Sequence, residues 1–334
     1  MAIQEVEVEC AASQRGNFPR HELQTAELPI EKTFFPHGFP IEIRTNCAEV
    51  LDMLGESWGR FEQQHDTEPV RAEVHVVKSD STECPPEPAY RITLPLFTAT
   101  ADADNYTIVD FERHAAKVSL SEAALRHRLY AGYFLMGPLV TCIATRYVTP
   151  VHAGCVALDG CGVLLCGDSG AGKSTLSYAC ARKGWTYISD DASFLLNGDP
   201  RRRVTGNCHQ VRFRPTAADL FPEISGLEIT PRAAGKPSVE MPTAMIPNLV
   251  CTHEAHVDHI VFLNRNDAGP PRLEPYSKDA ARYFIRQALY GLPETMAVQY
   301  ETIERLLTAD VFELRYRDLD WAIDRLRTLV REGQ

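Results

Sequence analysis

Between Gly167 and Ser174 the chain reads GDSGAGKS, two glycines with four residues between them and then Lys and Ser, the Walker A phosphate-loop pattern. A backbone that wraps a row of phosphates needs residues without Cβ where it turns, and amides left pointing inward; Gly167, Gly170 and Gly172 supply that freedom. The ammonium of Lys173 would reach the β- and γ-phosphates, the hydroxyl of Ser174 would bind Mg²⁺, and the helix that follows would add the positive end of its dipole. Asp168, Ser169, Ala171 and Thr175 belong to the same span and join the glycines as nucleotide-contacting candidates. Further on, Trp185 to Ser189 reads as a strand that ends in Asp190-Asp191, and carboxylates at the carboxyl end of such a strand face the ligand crevice of a parallel sheet. Such a pair could share the holding of Mg²⁺ and the acceptance of a hydroxyl proton, or could simply cap the next turn.

Before the loop, His152 precedes a strand read at Cys155 to Leu158, which would hairpin through Asp159-Gly160 into the apolar strand Val163 to Cys166. If those strands pair, the hairpin returns the histidine to the phosphate end. Neutralising a transferred phosphate takes more than one lysine, and Arg212, Arg214, Arg232 and Lys236 are candidates, with Arg212 and Lys236 assigned to the cofactor site. Arg212 and Arg214 fall on one strand face, and Gly235-Lys236-Pro237 is a loop able to approach a ligand. Arg201 to Arg203 reads as a solvated turn. His253, His256 and His259 in HEAHVDH invite a zinc reading, but steps of three along a strand put successive rings on opposite faces.

These side chains need a scaffold. Residues 1 to about 30 lack clear periodicity and read as a loose or edge segment. Strands are expected at Pro40 to Arg44, Val70 to Val77, Tyr90 to Leu96 and Tyr106 to Phe111. Ser119 with Glu122 forms a capping-box signature for a long helix kinked at Gly137-Pro138 and reaching about Tyr147. From Val151 the pattern becomes that of layered α/β structure, with a strand at His259 to Leu263, helices at Lys278 to Tyr290 and Glu294 to Leu307, a strand at Val311 to Tyr316 and a last helix from Asp318 to Arg331. The expected organisation is a small, mostly β module over 1–145 ending in a helix, followed by a phosphate-loop catalytic domain over 146–334: α/β in class, α+β overall.

The chain has 334 residues and 44% hydrophobic content, enough for a core without staples. Its net charge of −11 disfavours nucleic acid and anionic lipid as partners. Ten cysteines without a Cys-x-x-Cys pair, several in apolar surroundings, fit a reducing cytoplasm, and the acidic N-terminus has no secretory signal. The uncharged run Leu129 to Thr145 is read as a buried helix rather than a membrane span, because Gly137-Pro138 interrupts it and charged residues flank it closely.

The run VHAGCVALDGCGVLLCGDSGAGKSTLSYACARKGWTYISDD resembles the catalytic core of the HPr kinase/phosphorylase superfamily, firmly from His152 to Asp191 and loosely over the rest of the C-terminal half. The resemblance implies an HPr-kinase-like fold related to phosphoenolpyruvate carboxykinase, with ATP and Mg²⁺ as cofactors and transfer of the γ-phosphate to a serine-like hydroxyl. On that likeness Asp191 is the general base, Asp190 and Ser174 handle Mg²⁺, and His152 lies beside the transferred phosphate; Lys173 joins Asp191 and His152 as a catalytic candidate. The signature loop that follows the core in true HPr kinases has no convincing copy here, and the N-terminal module is not theirs. The resemblance is therefore to the stand-alone relatives, with a peptide, protein or small molecule as acceptor rather than HPr; a homo-oligomer is compatible with it. A different class of function, a nucleotide-driven ATPase or switch in which Asp191 orients water, uses the same loop. A degenerate binding module is disfavoured by the intact Lys173, Ser174 and Asp pair, and carboxykinase chemistry by the lack of a Mn²⁺ ligand set.

Overall fold

The computed structural model describes residues 27–230, 237–265 and 269–332. The loose segment expected before residue 30 lies almost entirely outside the described residues, as do Arg232 and Lys236.

Alternation builds the first sheet. In Val70–Val77 the side chains of Val70, Ala72, Val74 and Val76 are buried while the intervening residues are not. That strand lies parallel to Ile41–Thr45 and Ala115–Ser121, and the sheet continues through Tyr106–Asp110, Leu96–Thr100 and Ala89–Thr93, with Ile30–Phe34 on the opposite edge. The strand expected from Tyr90 to Leu96 is instead a hairpin, Ala89–Thr93 against Leu96–Thr100, turning at Leu94-Pro95. Pro95 has no N–H to give a ladder and marks the corner.

The long helix is also corrected. Ser119 ends up inside the strand Ala115–Ser121, and the cap is Ser121, whose hydroxyl accepts from the Ala124 N–H at 3.1 Å. Glu122 turns away to accept from the Ser79 N–H. The helix Glu122–Arg126 stops at His127, and a second helix, Arg128–Ala144, runs through Pro138. Its Phe134, Leu135 and Leu139 pack on the sheet, in a core that extends to Val148, Phe194 and Leu196 of the following half. No helix among the described residues is long and apolar enough to cross a membrane.

The second sheet carries the motifs. Its order is Thr186–Ser189, Ala153–Leu158, Cys161–Cys166, Glu254–Arg265, Arg203–Gly206, Ser193–Leu196 and Val148–Val151, with Asp310–Tyr316 also beside Glu254–Arg265. Cys161–Cys166, Glu254–Arg265 and Asp310–Tyr316 are parallel, and every residue of Cys161–Cys166 is buried, the signature of a strand covered on both faces. The strand expected at His259 to Leu263 is thus longer at both ends. The helix after the phosphate loop, Lys173–Arg182, packs with the last helix, Leu319–Glu332. Lys278–Arg286 and Pro293–Leu306 pack together, each close to its expected span. A third, small sheet joins Gln210–Phe213, Ser238–Pro242 and Ile229–Thr230. Arg202 and Arg203 are not a solvated turn: Arg202 donates to the Val257 carbonyl, and Arg203 pairs with Asp199 and Glu254.

Candidate nucleotide site

Strand pairing decides where the chemistry meets. Asp159 and Gly160 both have positive φ, 52° and 84°, as a two-residue hairpin turn of matching twist requires. Leu158 then faces Cys161, and Cys166 faces Ala153, so His152 stands at the edge where the phosphate loop begins. Thr186–Ser189 pairs antiparallel with the far side of Ala153–Leu158, so it points the same way as the loop strand and delivers Asp190 and Asp191 to that same edge.

The loop leaves Cys166 and enters the helix at Lys173. Gly167, Gly170 and Gly172 have φ of 148°, 96° and 99°. At Gly172 a Cβ would also fall 2.5 Å from the hydroxyl oxygen of Tyr316, a buried residue that reaches back to the Ala171 carbonyl at 3.3 Å. Gly172→Ala is expected to cost about 1–3 kcal/mol of stability and to weaken nucleotide binding, measured by thermal melts and calorimetry; unchanged values for both would show that the loop tolerates a side chain there.

Lys173 is only 4% exposed. Its ammonium donates to the carbonyls of Gly167 at 2.8 Å and Asp168 at 3.2 Å, and lies 3.0 Å from Nε2 of His152 and 3.9 Å from Oδ1 of Asp191. Burial lowers its pKa below the usual lysine value, and Asp191 opposes that shift. An ammonium can only donate, so Nε2 of His152 is the accepting nitrogen and the ring proton belongs on Nδ1, which faces Oδ1 of Asp191 at 3.6 Å.

The two aspartates occupy opposite environments. Asp190 is buried; its Oδ2 accepts from the Arg212 N–H at 2.9 Å, and the Ser174 hydroxyl hydrogen-bonds it. Burial raises its pKa to about 6, with the Arg212 amide working against that rise. Asp191 has a side chain 32% exposed and lines the cavity. Ser174 and Asp190 together offer hard oxygen donors beside the loop, the donor chemistry Mg²⁺ takes.

A cavity of about 610 Å³ opens over the loop, a size suited to a small ligand. Ser169, Gly170, Gly172, Lys173, Ser174 and Thr175 form one wall, with His152 and Asp191 beside them. Gly167, Asp168 and Ala171 belong to the loop but do not line the cavity. Arg212 and Arg214 also line the cavity, brought there by the end of Gln210–Phe213. Arg212 pairs with Glu240 at 2.8 Å. Arg265 also lines the cavity and was not singled out from sequence. It ends a strand parallel to the loop strand, and its signal was that position: ligands sit beyond the carboxyl ends of such strands.

No protein-family profile matches the chain. Over 104 residues it is 31% identical to "Putative HPr kinase/phosphorylase 2" of Oceanobacillus iheyensis, a match covering 30% of this chain and 32% of that protein. The chain thus spans about a third of that relative's length. The HPr(Ser) kinase/phosphatase structure from Coxiella burnetii aligns with 55% of this chain and 95% of its own at 16% identity, with a TM-score of 0.32. Over the 104 matched residues, the chain is therefore similar to a protein named as a putative HPr kinase/phosphorylase.

Proposed function

We propose that the protein is a cytoplasmic ATP-dependent kinase that transfers the γ-phosphate to a serine-like hydroxyl of a peptide, protein or small molecule, with the catalytic part in 146–334. The observation that carries this reading is the meeting of His152, Lys173 and Asp191, each pair no more than 3.9 Å apart, at the mouth of the phosphate loop. Asp191 is the exposed member of its pair, so an incoming hydroxyl can reach its carboxylate, which takes the proton as the oxygen attacks phosphorus and the bond to the departing diphosphate breaks. Its partner Asp190 is held by a main-chain amide and the Ser174 hydroxyl, which suits it to metal holding instead. Bound there, Mg²⁺ would neutralise phosphate charge. Lys173 grips the loop carbonyls and presents its charge to the cavity, and Arg212, Arg214 and Arg265 add positive charge around the same cavity.

Lys173→Ala is expected to lower kcat/KM about a hundredfold, since it removes a preorganised charge and leaves two loop carbonyls without their donor. Steady-state kinetics check this. The function itself is tested by incubating the protein with Mg²⁺-ATP and an extract of its host and searching by mass spectrometry for new phosphate adducts. Stoichiometric adducts support a kinase; steady release of free phosphate without any adduct would show an ATPase instead.

A further inference from the structure

The histidines of HEAHVDH do not act as a unit. His256 turns to Asp258, Nδ1 to Oδ1 3.2 Å, and His259 packs edge-on against Phe312. His253 leaves both and meets Cys208 and His209, which form the turn between the strands Arg203–Gly206 and Gln210–Phe213. One ligand atom from each of these three side chains lies within 4.8 Å of the others, and Sγ of Cys208 is 3.4 Å from Nδ1 of His253. In a tetrahedral zinc site, with Zn–S of about 2.3 Å and Zn–N of about 2.0 Å, neighbouring ligand atoms stand about 3.5 Å apart. The fold therefore sets this pair at the spacing a metal would impose.

The surroundings also suit a metal. Cys208 is 1% exposed, and Phe61 from the first module covers the two imidazoles, with ring centroids 4.9 Å from His209 and 5.4 Å from His253. Hydrogen bonds to main-chain carbonyls hold the ligand-bearing residues: the Thr243 hydroxyl donates to the Cys208 carbonyl at 2.8 Å, the Thr243 N–H to the His209 carbonyl at 2.9 Å, and the Gly206 N–H to the His253 carbonyl at 3.2 Å. An apolar cover and fixed ligand backbones limit solvent access and orient the donors. One soft thiol with two imidazoles selects zinc over the hard cations that take oxygen ligands.

We propose that Cys208, His209 and His253 form a zinc site that joins the turn before Gln210–Phe213 to the start of Glu254–Arg265 beneath Phe61. Binding releases one proton, that of the Cys208 thiol, as the sulfur–zinc bond forms. The site lies next to the strand whose Arg212 amide holds Asp190, so the metal ties that strand in place without touching substrate.

The test uses the full chain, reduced and freed of metal by chelation, titrated with zinc chloride against a chromophoric chelator, with cobalt absorption reporting thiolate ligation. The expected result is one zinc per chain, an affinity at least about a hundredfold weaker in Cys208→Ser and in His253→Asn, and little change in His256→Asn. Cys208 is in the core, so His253→Asn carries the result if Cys208→Ser does not fold. Lack of zinc uptake by the reduced chain overturns the proposal, as does uptake that survives His253→Asn. A third overturning result is a Cys208–Cys251 disulfide in air-exposed protein that takes up no metal after reduction; the two thiols are neighbours.

Discussion

Asp191→Asn is expected to lower phosphoryl transfer by about a thousandfold while leaving nucleotide affinity within a few-fold. The amide keeps the size and polarity of the carboxylate but cannot take the hydroxyl proton. On the proposed reading nucleotide affinity would reside in the loop, the helix that follows and Lys173, none of which depends on Asp191 for its position: Lys173 is held by the Gly167 and Asp168 carbonyls. A secondary effect follows from charge. Asp191 offsets the burial that lowers the Lys173 pKa, so its neutralisation lowers that pKa further and moves any alkaline loss of nucleotide binding to lower pH. Single-turnover transfer and calorimetry with Mg²⁺-ATP measure the two quantities separately. Near-normal transfer in Asp191→Asn would falsify the assignment of the base.

Asp190→Asn is expected to do the opposite to stability from what it does to activity. Burial holds the Asp190 carboxyl at about 6 in the folded chain against an ordinary 3.8. A carboxyl whose pKa is raised by folding binds protons more tightly in the folded state, so its contribution favours folding at low pH and declines as pH rises from about 3.8 through about 6. Above that window the ionised group destabilises the fold by about 3 kcal/mol, at 1.36 kcal/mol per pKa unit. Asparagine keeps an oxygen for the Arg212 amide and the Ser174 hydroxyl and carries no charge. Melts at pH 7.5 are therefore expected to show Asp190→Asn several degrees more stable than the parent, the gap shrinking at pH 5, with activity lost because the oxygen proposed to hold the metal is gone. A gap of equal size at both pH values, or of opposite sign, would show that burial is not what perturbs this group.

How much was legible beforehand depends on how local each feature is. The turn from Cys166 into a helix at Lys173, and the strand that ends just before Asp190-Asp191, were readable because spacing along a few residues specifies a turn, a helix start and a strand end. His152 was readable only through its hairpin: Asp159-Gly160 is a turn signal, and once Cys166 faces Ala153 the histidine has nowhere else to go. The helix cap at Ser121 rather than Ser119 was misplaced because a strand claimed Ser119 first, a competition between neighbours that a capping pattern does not register.

By itself, then, the order of residues determined the loop, the acidic pair and the alternation of strands and helices, since each rests on contacts between near neighbours. Tertiary structure alone decided which aspartate is buried and which faces the cavity, that Arg265 joins Arg212 and Arg214, and that His253 leaves its sequence neighbours for Cys208 and His209. Those outcomes depend on burial and on strand order, which bring together side chains dozens of residues apart, and no local spacing encodes which of them will be covered when the sheets close.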